Sequence, residues 1–173
     1  GPEWIGAEEP YQLLKDRSDV LSFETDPLED DTEVTGEVMI KLWVSSTAVD
    51  TDFTVKLVDV YPSSDDYPAG FHLNLTDTIL RARYRNSWTD PEMMTPGEPV
   101  ELSIALWPVS NVFKKWHRIR FDVSSSNFPR FDVNPNTGEP VGRHTSMVNA
   151  DNTVHTGSDY PSRLVLPVIP AGD

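Results

Sequence analysis

Four histidines, His72, His117, His144 and His155, are the side chains able to move a proton near neutral pH. None stands in a recognisable constellation with a serine and an acid. A lone histidine without a positioned partner reads as structural or surface-lying. The serines point the same way. A nucleophile on an α/β-hydrolase sheet needs Gly-x-Ser-x-Gly, whose glycines permit the sharp turn that lifts the hydroxyl. The sequence has no such motif. Ser124-Ser125-Ser126 lacks flanking glycines and follows a strand pattern that runs into a loop. No catalytic residue is assigned.

Metal chemistry fares no better. Asp132-Val133-Asn134-Pro135-Asn136-Thr137-Gly138 has the look of a calcium loop, but an EF-hand needs Gly at its sixth position and Glu at its twelfth. Those positions hold Thr137 and Arg143. A run of Asx turns is the better reading. The acidic run Asp26, Glu29, Asp30, Asp31 reads as a solvated turn before a strand at Val34. No cysteine is present, which removes thiol catalysis, disulfides and zinc–thiolate sites together. No cofactor and no metal are expected.

Aromatic side chains are a third source of chemistry, because they stack on the apolar faces of sugars. Trp43, Trp88, Trp107 and Trp116 qualify. Trp43 and Trp107 fall on faces opposite aliphatic stripes. They would be exposed in a lone domain and covered in a multidomain protein, where aromatics are enriched at contacts. Residues and spacing leave both readings open. Asn74-Leu75-Thr76 satisfies a glycosylation sequon and is taken as chance.

The elements that must position these groups are strands. Fifteen prolines are scattered along the chain and leave little room for helices. Apolar residues alternate instead: Val38, Ile40, Leu42, Val44; Phe53, Val55, Leu57, with Thr54 and Lys56 facing away; Val100, Leu102, Ile104, Leu106; Ile119, Phe121, Val123; Leu164, Leu166, Val168. Val20–Phe23, Phe71–Leu75, Ile79–Tyr84 and Thr153–His155 are shorter candidates. Roughly nine strands separated by turns predict an all-β sandwich or barrel. Helical turns are expected only near Asp90–Met94 and within Glu8–Leu14. Two long loops, Pro62–Gly70 and Ser124 to about Asn152, are candidates for functional or interface segments.

Composition narrows the partners. The 173 residues suit one domain, residues 18–170, preceded by a linker or approach segment over 1–17 and followed by a tail at 171–173. The first residues, Gly1-Pro2, and the lack of an initiator Met suggest a piece of something longer. A formal net charge of −14 repels phosphate backbones and anionic membranes, so neither nucleic acid nor membrane is expected as a partner. No apolar run approaches the ~18 residues of a membrane span. With no cysteine and no signal-like start, a cytoplasmic setting is favoured.

Several ordered blocks resemble one family. They are Ala48 through Pro62 (AVDTDFTVKLVDVYP), Leu80 through Arg85 (LRARYR), Ser110-Asn111-Val112-Phe113 leading into His117-Arg118-Ile119-Arg120, Ser124 through Asp132 (SSSNFPRFD), Asn134-Pro135-Asn136-Thr137-Gly138, and Tyr160 through Ile169 (YPSRLVLPVI). In order and spacing they resemble the C-terminal domain of the X-Pro dipeptidyl-peptidase and cocaine-esterase group of serine hydrolases. The resemblance covers about residues 18–170. It implies a jelly-roll β-sandwich of the galactose-binding-like type, following an α/β-hydrolase domain and a helical cap that hold the catalytic triad. Those two domains are the implied partners, and a homo-oligomer of the parent is compatible with the family. The module itself is expected to be non-catalytic, to pack on the hydrolase and to wall its substrate pocket.

Two departures stand out. The Pro62–Gly70 loop replaces a tight Pro-Asp-Gly turn, and Trp116 stands where the family has Gly. Arg81, Arg83 and Arg85 alternate along one predicted strand face and Arg118 and Arg120 along another, with Asp50, Asp52, Asp59 and Asp122 available as partners. A charge-paired face and a solvated face both fit. The aromatic loop Asn127-Phe128-Pro129-Arg130-Phe131, together with Trp43 and Trp107, supplies the candidate inter-domain or pocket-facing contacts: Asn127, Phe128, Arg130, Phe131, Trp43 and Trp107. A stand-alone carbohydrate-binding module and an independent structural or assembly domain are the rival functions.

Overall fold

The structure is a computed structural model that describes residues 6–7, 17–140 and 142–170. The helical turn expected within Glu8–Leu14, most of the approach segment and the 171–173 tail lie outside the described residues.

The chain forms twelve strands among the described residues: β1 Gly6–Ala7, β2 Val20–Glu24, β3 Thr32–Gly36, β4 Met39–Ser46, β5 Asp52–Tyr61, β6 Phe71–Arg81, β7 Val100–Ala105, β8 Val109–Phe113, β9 Arg118–Ser124, β10 Asn152–His155, β11 Arg163–Val165 and β12 Val168–Ile169. A five-stranded sheet has the order β1-β6-β5-β9-β2. A four-stranded sheet runs β10-β4-β11 with β7 on the far side of β4, and a three-stranded sheet runs β12-β3-β8. Every pairing is antiparallel. The architecture is an all-β sandwich.

Period-two alternation builds the core. Val38, Ile40, Leu42 and Val44 are fully buried, and Phe53, Val55, Leu57, Leu102, Ile104, Leu106, Phe113 and Val123 join them in one cluster drawn from all three sheets. Each fully buried aliphatic or aromatic side chain contributes about 1.5–3 kcal/mol relative to exposure, so the sandwich rests on this cluster.

Four expectations need correction. Phe71–Leu75 and Ile79–Tyr84 are one strand up to Arg81, after which Ala82–Tyr84 forms a 3₁₀ turn. The polar stretch Asn74 to Thr78 hid the continuity. Arg83 and Arg85 therefore lie on and after that turn, not along the strand face that carries Arg81. No helical turn occurs at Asp90–Met94, where Met94 instead packs into the core and donates its N–H to Val49 O at 2.8 Å. The side of β5 that holds Thr54 is not solvated: Thr54, Val58 and Val60 are buried there. Val168 is half exposed, because β11 and β12 break at Leu166-Pro167 and leave the terminal strand at an edge.

Candidate functional site

The second face of the five-stranded sheet is polar and buried. Register places Asp77 of β6, Lys56 of β5, Asp122 of β9 and Ser22 of β2 in one row across four strands. Ser22 Oγ donates to Asp122 Oδ1 at 2.7 Å, and Lys56 Nζ lies 3.5 Å from Asp77 Oδ2. Beside this row Arg120, only 1% exposed, donates Nη2 to Asp122 Oδ2 at 3.3 Å and Nη1 to His72 Nδ1 at 2.9 Å. A guanidinium has no acceptor atom, so His72 Nδ1 accepts in this contact.

Asp77 is the hub of the aromatic loop. Its carboxylate accepts from Arg130 Nη1, from Asn127 Nδ2 at 2.7 Å and from Lys56, while Lys56 Nζ also donates to Asn127 Oδ1 at 3.3 Å. Asp77 is buried, so these charge-assisted bonds work in low dielectric and anchor the loop through its Asn127 and Arg130 side chains. Arg130 N–H and Phe131 N–H both turn back to Asn127 O. Arg130 lies over the Phe131 ring at 5.5 Å, and Phe131 is half-buried. Phe128 is left 69% exposed at the tip. The loop forms one wall of a groove of about 890 Å³ whose other walls come from Arg17–Leu21, from β5 and β9, and from Ala150–Asn152.

The structure thus brings Asn127, Phe128, Arg130 and Phe131 together. It puts Trp43 and Trp107 elsewhere. Trp43 lies half-buried on β4 with its ring 5.1 Å from that of Tyr160. Trp107 is 70% exposed in the turn between β7 and β8.

A second network ties the Ser124–Asn152 loop to the sandwich. Arg81 grips Asp52 through both oxygens, Nε at 2.8 Å and Nη2 at 3.0 Å. These bonds hold the Arg81 guanidinium above its ordinary pKa despite burial. Arg83 holds Asp50 differently, through its backbone N–H at 3.0 Å to one oxygen and its Nε at 2.8 Å to the other. Asn134 Nδ2 bridges the two carboxylates, at 2.8 Å to Asp50 and 2.7 Å to Asp52. Its Oδ1 accepts the Asn136 N–H at 2.9 Å, the Asx turn expected of this stretch. Glu139 accepts from Thr137 and Thr145, and these bonds hold its carboxyl below the usual range. The arginines that the sequence left between two readings are paired.

Among the described residues the pieces of a nucleophilic triad are present but not assembled. Asp59 is buried and hydrogen-bonded to His117 Nδ1 at 2.8 Å and to Asn111 Nδ2 at 3.2 Å. Burial pushes its carboxyl above the usual range, outweighing the lowering by both bonds. Tyr61, 4.2 Å away ring to ring, covers His117, and among the described residues no hydroxyl bonds that histidine. On another sheet, Ser45 Oγ lies 3.0 Å from His155 Nε2, yet no carboxylate bonds His155 among the described residues. Acid–base and base–nucleophile contacts therefore belong to different histidines. A serine on a flat strand also lacks the turn that gathers oxyanion donors.

Sequence reasoning missed Asp77 and Lys56, both half-triads and the conformation of Trp116. Asp77 offered no strand signal, because it falls between the two strands expected at Phe71–Leu75 and Ile79–Tyr84. Trp116 adopts φ +72°, the left-handed region that favours glycine. The departure read in the sequence falls on a position whose backbone suits the replaced residue.

Comparison with known proteins identifies this sandwich. The family model of the X-Pro dipeptidyl-peptidase C-terminal non-catalytic domain matches residues 4–165. The cocaine esterase of Rhodococcus sp. (strain MB1 Bresler) is 47% identical over 158 residues, 90% of this chain and 26% of the esterase. The structure of an α-amino acid ester hydrolase aligns with a TM-score of 0.88 and 31% identity over 96% of this chain and 28% of that one. That of an aminopeptidase from the marine sediment archaeon Thaumarchaeota archaeon gives 0.88 and 31% over 97% and 28%. The chain spans about a quarter of the length of these relatives. It belongs to the family of X-Pro dipeptidyl-peptidase C-terminal non-catalytic domains.

Proposed function

We propose that this chain is the C-terminal sandwich of a serine hydrolase acting on peptide, ester or amide bonds, that it packs on the parent's α/β-hydrolase and cap domains, and that the Asn127–Phe131 loop shapes the mouth of the substrate pocket. One observation carries the reading: Phe128 is a 69% exposed ring on a loop whose Asn127 and Arg130 side chains are anchored on the buried Asp77 carboxylate. An aromatic held rigid and uncovered meets a partner at little entropic cost, and such residues dominate interfaces. The groove beside it offers polar and apolar walls that a neighbouring domain would close. The relatives, an esterase, an ester hydrolase and an aminopeptidase, support the reaction class.

The test uses the intact parent enzyme. Phe128→Ala should lower kcat/KM at least about threefold while leaving the unfolding midpoint of the isolated chain unchanged. Unchanged kinetics in the parent would contradict the role.

A further inference from the structure

Away from this groove lies a second cavity of about 340 Å³, lined by Glu24, Pro27, Tyr61, Pro62, Trp116 and Arg118 among others. Its size falls at the lower end of the ~300–1,000 Å³ typical of small-molecule pockets. Trp116 is the unusual member. It combines φ +72° with an indole 62% exposed. A side chain with a Cβ is disfavoured in that conformation and persists only where its surroundings over-determine it. They do so here. Trp116 N–H donates to Leu28 O at 2.9 Å, and His117 N–H closes the turn onto Lys114 O at 2.9 Å. Asp31 clamps the same turn through Lys114 Nζ at 2.6 Å and Lys115 N–H at 2.8 Å. The fold thus spends backbone strain to display a large aromatic ring, with Lys115 Nζ 5.1 Å from the ring centroid on one side.

The remaining lining narrows what the ring meets. An indole, a phenol, two proline rings, Val60 and the His72 imidazole offer C–H and π surfaces, and the face of the indole away from Lys115 is left for a ligand. Arg118 and Glu24, 3.5 Å apart, supply a donor and an acceptor whose charges cancel. A chain of net charge −14 disfavours anions. A neutral ligand with an apolar face and hydroxyl edges satisfies all three conditions, since each hydroxyl can accept from the guanidinium and donate to the carboxylate. We propose that Trp116, Tyr61, Arg118 and Glu24 form a binding site for a neutral pyranoside, with Trp116 as the stacking platform.

The experiment is calorimetric titration of the chain with maltotriose, cellotriose, xylotriose and chitotriose up to about 10 mM, a range that captures weak single-site binding. At least one should bind saturably. Trp116→Gly should weaken that binding at least tenfold while raising the unfolding temperature, because it removes the ring and the strain together. Trp116→Asn, which also tolerates positive φ, should lose binding likewise. The proposal fails if none of the four sugars binds, if either folded variant still binds, or if a proline-rich peptide binds at this site in their place.

Discussion

Arg83 and Asp50 meet twice: the arginine's own backbone N–H donates to Asp50 Oδ1 at 3.0 Å while its Nε donates to Asp50 Oδ2 at 2.8 Å. Both side chains are almost wholly buried, and Arg83 Nη1 continues to Glu139 O at 3.0 Å. One guanidinium therefore joins the start of β5, the 3₁₀ turn after β6 and the long loop after β9.

Replacing Arg83 by Leu should be among the most damaging single changes to stability. It strands the Asp50 carboxylate in the interior with, among the described residues, only Asn134 Nδ2 and the backbone N–H at position 83 as donors. Breaking a buried pair from one side costs about 3–5 kcal/mol. Urea denaturation of the variant measures it. A loss within experimental error of zero would show that water reaches Asp50.

The hydrophobic alternation and the buried charges differ in how far residue order alone reveals them. Val38, Ile40, Leu42 and Val44 announce their face, because period two is a local property and all four are buried. Arg120 and Asp122 alternate equally well with Ile119 and Val123, and nothing local says that their face is covered too. Burial of that face depends on which strands lie beside β9, and β2 and β5 come from far along the chain. The aromatic loop was singled out by its unusual mix of residues, whereas its anchor Asp77 lies some fifty residues earlier and needed the β5–β6 register to be found. Trp116 was visible as a substitution, and only its φ revealed what the substitution costs.

Asp59 sets a pH dependence of definite sign. Burial raises its carboxyl pKa above the unfolded value, so the folded state holds that proton more tightly. Its contribution to stability is therefore greatest below the ordinary aspartate range and falls as pH rises through the folded value. Asp59→Asn removes the titration. The stability difference, variant minus wild type, should grow in the variant's favour as pH climbs through that window. Parallel stability curves for the two proteins would refute the shift.

The divided half-triads predict the outcome of an activity assay. The purified chain should not turn over proline dipeptide anilides or simple aryl esters, and Ser45→Ala or His117→Gln should leave the background rate unchanged. Turnover by homogeneous protein that disappears with Ser45→Ala would mean that the Ser45–His155 contact is catalytic after all.

Hydrogen exchange, compared between the isolated chain and the intact parent hydrolase, reaches the docking claim most directly. If the Asn127–Phe131 loop faces the hydrolase, its amides should exchange at least about tenfold more slowly in the parent, with Phe128→Ala reversing most of that protection. Identical exchange in the two settings would mean that this loop faces solvent in the whole enzyme.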